Sequence, residues 1–401
     1  MIVRRGVSHL EESCVLLWGC RILGGNLGGN LGTETNFLRV EVAVKTGGCV
    51  ARRNLVSVPK LPGLLLTIVL AGACAPESPS TTTRLIEKTY PSMGTELRLA
   101  AWTADEPGAM AAFEAVFREF ERLEALMSNW REDSDVERLN RAAGKHPVRV
   151  GTEIRDVLRT ARQVSEWTGG KFDVTFGVMS GLWKFDYQDR DNVIPEHNEI
   201  TRRRALINYR DLTVDEHAGT AFLQREGMRM SVGGVGKGYA VDRARDILRN
   251  RGFRDFLIQF GGDMYASGLR DGRPWRLGVQ DPRGPANQIF ASVDVSDQTF
   301  STSGDYERFF IKDGRRYHHI LDPATGMPAE GCRSVTILAG SATLADALST
   351  GVFVLGPEAG MALIERLPDV EGIIVSATNA VLVSSGLKER VTMLAPPTDA
   401  P

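Results

Sequence analysis

Cysteine is scarce in this 401-residue chain, and what there is lies in the wrong places for chemistry. Cys14, Cys20, Cys49 and Cys74 fall in the first 74 residues, and only Cys332 lies in the body of the chain. Their spacing fits no thiolate metal site, and one body cysteine excludes a disulfide framework. An excess of charge is also missing: 48 Lys and Arg stand against 50 Asp and Glu, a net charge of −2. With no clustered basic stripe, the chain carries no electrostatic footprint for nucleic acid. The apolar run Leu61–Leu70 is too short to span a bilayer comfortably. Between residues 85 and 395 there is neither a linker nor a repeat. Glycine, in contrast, is plentiful at 42 residues, which implies many tight turns or places where backbone approaches a ligand.

The first 85 residues have a different character from the rest. Residues 50–74, VARRNLVSVPKLPGLLLTIVLAGAC, run from Arg52, Arg53 and Lys60 through the apolar stretch to Ala71, Gly72 and Ala73. That order of charged, apolar and small residues is the order of an export signal. Its end, LAGAC, resembles a bacterial lipobox, which makes Cys74 the expected lipid-bearing first residue of the mature chain. Leu70 stands one place further out than is usual, so ordinary signal-peptidase cleavage nearby is the alternative. Residues 1–49 then read as an extension from a start placed too far upstream, with Val50 a plausible true start. On this reading 1–73 lies outside the fold, 74–85 (CAPESPSTTTRL) is a flexible tether, and the tail 396–401 is unstructured.

The body, 86–395, reads as one mixed α/β (α+β) domain. LIEKTYPSMGTELRLAAW alternates loosely and predicts a pair of strands. Apolar residues at helical spacing predict a helix over 112–130 and a second one capped by Thr152 and ended by Gly169. Further helices are predicted over 237–250 and 343–355 and after Pro357. FLIQFGG, WRLGVQDP, RSVTILAG and EGIIVSA read as strands, and so does FDVTFGVMSGLWKF (172–185) with its turn glycines.

Several segments admit a chemical reading beside a structural one. MRMSVGGVGKGYAVD (228–242) opens a glycine cluster into a helix, where backbone N–H groups and the helix N-terminus together favour an anion. Lys237 adds a charge, although the pattern is neither a Walker A loop nor a dinucleotide fingerprint. A tight packing turn is the alternative. SATLADALSTGVFVLG (341–356) sets Asp346 and Thr350 on one helix face, a carboxylate and a hydroxyl suited to Mg²⁺. Equally, the aspartate could face solvent near the helix start. RRYHHILDPATGMPAEG (315–331) places two histidines before an Asp-Pro turn, which is either a surface hairpin or a site that moves protons. SGDYERFF and FGGDMYASG read as turns between strands.

Taken together and in order, PSMGT, MSNW, KFDVTFG with LWKF, GGVGKGYAVD, GGD, TSGDYER, HHILDPATGMP and ADALSTGVFVLG resemble the bacterial ApbE family, the FAD:protein FMN transferases. The resemblance spans essentially all of 86–395. It implies a fold related to the T-fold and a periplasmic, Mg²⁺-dependent enzyme. That enzyme moves the FMN part of FAD to a threonine hydroxyl of an acceptor flavoprotein and releases AMP. The expected acceptor is a redox-pump subunit or an FMN-binding domain, and the lipid is expected to hold the enzyme to a membrane. Carried over by position, Met93 and Trp130 are expected at the flavin or adenosine, and Lys171, Phe172 and Asp173 along FAD. Asp346, Thr350 and the Gly234 carbonyl are the expected metal ligands, Lys237 meets the pyrophosphate, and His319 and Ile320 face FAD. Threonine is a weak nucleophile, so His319 is the expected base, held by the turn at Asp322 and Pro323, with His318 a bystander and Thr325 shaping the loop.

The chain departs from the family pattern at Ser231, where an aspartate lining the FAD site is usual, and this puts FAD affinity or metal loading in doubt. Two other readings stay open. One is hydrolysis of FAD to FMN and AMP. The other is a lipoprotein that binds flavin without catalysis. Ala75 and Pro76, with no aspartate after Cys74, favour the outer membrane as the destination.

Overall fold

A computed structural model describes residues 21–22, 37–46, 49–59, 82–185 and 192–400. The chain divides into two compact units, Met1–Pro76 and Glu77–Pro401. In the first, the strands Phe37–Thr46 and Cys49–Pro59 pair antiparallel, and Arg21–Ile22 pairs with Phe37–Thr46. These strands were not expected in 1–73, although FLRVEVAVKT alternates as a strand should. The pair takes in the basic part of the stretch interpreted as an export signal. Cys74 and the apolar run before it lie outside the described residues.

The second unit is built on an eight-stranded antiparallel sheet. Its strands are β1 (Arg84–Ser92), β2 (Thr95–Thr103), β3 (Phe256–Phe260), β4 (Asp263–Ser267), β5 (Gln298–Gly304), β8 (Cys332–Leu338), β9 (Glu371–Ser376) and β10 (Val381–Val383). Between β5 and β8, β6 (Phe309–Lys312) and β7 (Arg315–His318) form a separate hairpin. Across the large sheet the order is β10-β9-β8-β5-β4-β3-β2-β1. Besides a short helix over His197–Arg204, the helices are α1 (Glu106–Met127), α2 (Asp135–Arg141), α3 (Thr152–Trp167), α4 (Gly236–Asn250), α5 (Ala342–Leu355) and α6 (Pro357–Ile364).

Alternation along the strands explains how the sheet is covered on both faces. Tyr265 and Ile374 join the core that holds Phe113 and Phe120 of α1 and Phe353 of α5. Their neighbours Ala266, Ile373 and Val375 join a second core, with Trp275, Phe290 and Val293 from a small sheet of Trp275–Gln280, Ile289–Val295 and Val391–Met393. Helices therefore cover one face and a second sheet covers the other.

The mixed α/β class and most of the predicted elements stand. Four details differ. α1 begins at Glu106 because Asp105 accepts a hydrogen bond from the Gly108 N–H at 2.9 Å, and it stops at Met127 because Ser128 turns extended. Gly151 precedes α3, so Thr152 is its first residue and not its cap. The stretch expected as a strand over 172–185 holds a 3₁₀ helix, Val174–Met179, because Asp173 caps it by accepting from the Thr175 N–H at 2.8 Å. Last, the tail is tied down: Asp281 accepts from the Thr398 backbone and hydroxyl, and Asn379 donates to the Pro397 carbonyl at 2.9 Å. Among the described residues no helix is long and apolar enough to cross a membrane.

Candidate active site

α4 and α5 cap one another, and the site sits at one of these two junctions. Asp346 of α5 accepts from the Gly238 N–H in the first turn of α4 at 2.9 Å. Asp242 of α4 in turn accepts from the Ala342 and Thr343 N–H groups of α5, and from the Ser341 and Thr343 hydroxyls. Each carboxylate meets unpaired N–H groups and the positive end of the other helix's dipole. The approach demands glycine: a Cβ on Gly238 would lie 2.1 Å from the Ala342 carbonyl oxygen.

Around the Asp346 junction the fold gathers residues far apart in sequence. Lys237 donates to Asp263 of β4 at 2.6 Å. Thr350 lies one turn beyond Asp346, its hydroxyl 3.2 Å from that of Ser303 at the end of β5. A Cβ on Gly234 would be 3.5 Å from the Thr350 hydroxyl, so the glycine loop and the helix face each other at close range. Burial, then the neighbouring Asp263, push the Asp346 carboxyl up to about 7, although Lys237 and backbone N–H groups oppose this. The Lys237 ammonium is disfavoured by burial, but Asp263 and Asp346 outweigh that and raise its pKa.

His319 follows β7 and lies within the electrostatic reach of Lys237. Its Nδ1 is 3.3 Å from the Arg308 carbonyl, which can only accept, so Nδ1 carries the proton and Nε2 keeps its lone pair. Burial, then Arg308 and His318, push its pKa down to about 3, so the ring is neutral near pH 7. His318 is structural: Nε2–H donates to the Ala329 carbonyl at 2.8 Å, Nδ1 accepts from the Ile320 N–H, and the ring packs edge-on to Phe353. Asp322 shapes the turn after the histidines by accepting from the Ala324 N–H at 2.9 Å. It also accepts from Lys171 Nζ at 2.7 Å, which ties the turn to the segment before the 3₁₀ helix.

The family model for the ApbE family matches residues 93–374 of this chain. The FAD:protein FMN transferase of Klebsiella pneumoniae is 32% identical over 303 residues, covering 75% of this chain and 92% of the relative. That of Treponema pallidum is 33% identical over 299 residues, covering 71% and 82%. Among solved structures, the flavin transferase ApbE of Vibrio cholerae superposes with a TM-score of 0.69 at 30% identity, covering 77% of this chain and 100% of that one. The ApbE protein of Thermotoga maritima gives 0.70 at 32% identity, covering 77% and 99%. The chain belongs to the ApbE family.

Within this ApbE chain the site residues expected from sequence separate into three groups. Gly234, Lys237, Asp346 and Thr350 share one junction, with His319 in electrostatic reach of the lysine. Met93, Trp130 and Ser231 make up a second group. Met93 sits at φ 46° in the two-residue turn between β1 and β2, and Trp130 is 87% exposed. Ser231 donates to Asn129 at 2.9 Å, and Asn129 donates to the Met230 carbonyl, so MSNW and the glycine loop are stitched together. The third group turns inward, contrary to expectation. Both Asp173 oxygens are used inside the protein, by Thr175 and by the Tyr209 N–H at 2.7 Å, and burial raises its pKa. Phe172 and Ile320 are buried in the core, where packing fixes the backbone of the loops that carry Lys171 and His319. Sequence reasoning assigned no role to Asp263 or Asn129. The signal for Asp263 was its own motif: an aspartate directly after a strand and a Gly-Gly pair.

Proposed function

We propose that this chain transfers the FMN part of FAD to a threonine hydroxyl of an acceptor protein and releases AMP. The observation that carries the reading is the meeting of Lys237, Asp346, Thr350 and the glycine loop at the start of α4, in a chain whose relatives are named for this transfer. The helix N-terminus and the Lys237 ammonium favour a diphosphate. His319 Nε2 accepts the threonine proton as the threonine oxygen attacks the FMN phosphorus. The bond from that phosphorus to the bridging oxygen breaks, and AMP leaves with the oxygen.

A Mg²⁺ ion fits the donor set. Among the described residues no three His, Cys, Asp or Glu side chains cluster as ligands. The available donors are the Asp346 carboxylate, the Thr350 hydroxyl and the Gly234 carbonyl, hard oxygens that suit Mg²⁺. Among the described residues the buried Asp346 carboxylate has no ion-pair partner, since Lys237 pairs with Asp263, and no side chain at Gly234 fills the space beside Thr350. When bound, the ion supplies charge stabilisation to phosphoryl oxygens. An acceptor with its threonine replaced by alanine tests the reading. Transfer predicts that AMP release stops with it, whereas release at the full rate means that water takes the threonine's place.

A lipid on Cys74 would hold the enzyme at the periplasmic face of a membrane, and the lipobox-like LAGAC supports this. Cys74→Ser should shift the protein from the membrane to the soluble fraction or leave it unprocessed. Unaltered anchoring would refute lipidation.

A further inference from the structure

Asp263 opens β4 opposite Phe260 and Ser301 and is only 1% exposed. A carboxylate buried this deeply needs a partner, and Lys237 supplies it at 2.6 Å. Lys237, however, stands between two carboxylates. The next residue, Gly238, donates its N–H to Asp346 at 2.9 Å, and a Cβ on Gly238 would lie 2.8 Å from the Asp346 Cβ. The lysine backbone is therefore pinned against Asp346 while its ammonium is drawn away to the neighbouring strand. Opposite charges in a buried site attract strongly. With Asp263 uncharged, the strongest remaining attraction on the ammonium is that of Asp346, ahead of Glu307, and a lysine on that carboxylate occupies the oxygen a metal ion needs.

We propose that Asp263 is a positioning residue that holds the Lys237 ammonium off Asp346 and so keeps the Asp346 carboxylate open to a divalent cation. The proposal rests on the reading that Asp346 carries a cation. Its test is direct titration of the full chain with Mg²⁺ alone, without substrate or turnover. Asp263→Asn should weaken Mg²⁺ binding by roughly ten- to a hundredfold, the range for lost outer-shell partners of a metal site. Lys237→Met should bind Mg²⁺ at least as tightly as the wild type. Asp263→Asn with Lys237→Met should recover the wild-type affinity, a rescue that a purely structural role for Asp263 does not give. Unchanged binding in Asp263→Asn, or a double variant as weak as the single, overturns the proposal. If Asp263→Asn alone fails to fold, Lys237→Met still decides, because loss of Mg²⁺ binding there contradicts the proposal. A wild-type chain that binds no divalent cation overturns the cation reading and this inference with it, whereas wild-type binding with unaltered Asp263→Asn overturns this inference alone.

Discussion

His319 and Asp346 show how a residue's neighbours decide its chemistry. Burial keeps the His319 ring neutral, and the Arg308 carbonyl fixes its tautomer, which leaves the Nε2 lone pair free; the lowered pKa makes the ring a weak base until the negative charge of a bound diphosphate favours its protonated form. His319→Asn should bind FAD normally but lower the transfer rate by about 10²–10⁴-fold, the usual worth of a general base. Near-normal rates in a single-turnover assay would remove it from that role. The same environment has a consequence for stability. The folded-state pKa is about 3 against an ordinary 6.5, so the unfolded chain binds a proton that the folded chain refuses. Stability should fall as pH drops below 6.5 toward 3, and His319→Asn should lose less over that window in urea unfolding. Equal acid losses in the two proteins would mean that the ring is not held neutral by the fold. At this scale residue types were legible but their directions were not. HHILDP, KFD and ADALST all carried chemistry-capable groups, yet nothing in the letters said that Asp173 caps a 3₁₀ helix or that Ile320 points into the core.

Among the elements, the reciprocal caps of α4 and α5 are what place the site. Gly238 permits the contact, because a side chain there would collide with the Ala342 backbone. Gly238→Ala should destabilise the fold by about 1–3 kcal/mol through overpacking and should weaken FAD or metal binding as well. Thermal unfolding and FAD titration together check this, and an alanine variant with wild-type stability would show that the two helices can part at little cost. The long helices α1, α3, α4 and α5 were legible in the sequence because apolar periodicity over 10 or more residues is a strong signal, whereas the short helices Asp135–Arg141 and His197–Arg204 were not. The 172–185 segment was misjudged because its Phe and Val content suits a strand, while the deciding hydrogen bonds come from Asp173 and a distant Tyr209. Capping between helices a hundred residues apart leaves no local pattern to read.

Over the whole Glu77–Pro401 unit, an antiparallel sheet with helices on one face and a smaller sheet on the other brings β4, β5, α4 and α5 to one place. The tail contributes to this frame. Arg333 reaches the Thr398 carbonyl, and Asp281 holds Thr398, while Arg283 next to it makes a buried two-point ion pair with Asp305 at 2.7 Å. Removing one partner of such a pair is costly, so Arg283→Ala should destabilise by about 3–5 kcal/mol, read as a shifted urea midpoint. A midpoint equal to that of the wild type would mean that the pair is solvated. The mixed class was legible because strand-like and helix-like segments run along the whole body. The docked tail was not, since APPTDAP has the composition of a free end and gains its order from Asp281 and Asn379. The full chain is incubated with FAD, Mg²⁺ and a threonine-bearing acceptor domain, and the acceptor is weighed by intact-mass spectrometry. The account predicts an acceptor heavier by one FMN moiety, absent when Asp346→Asn replaces the wild type. AMP formed while the acceptor mass stays unchanged would contradict it.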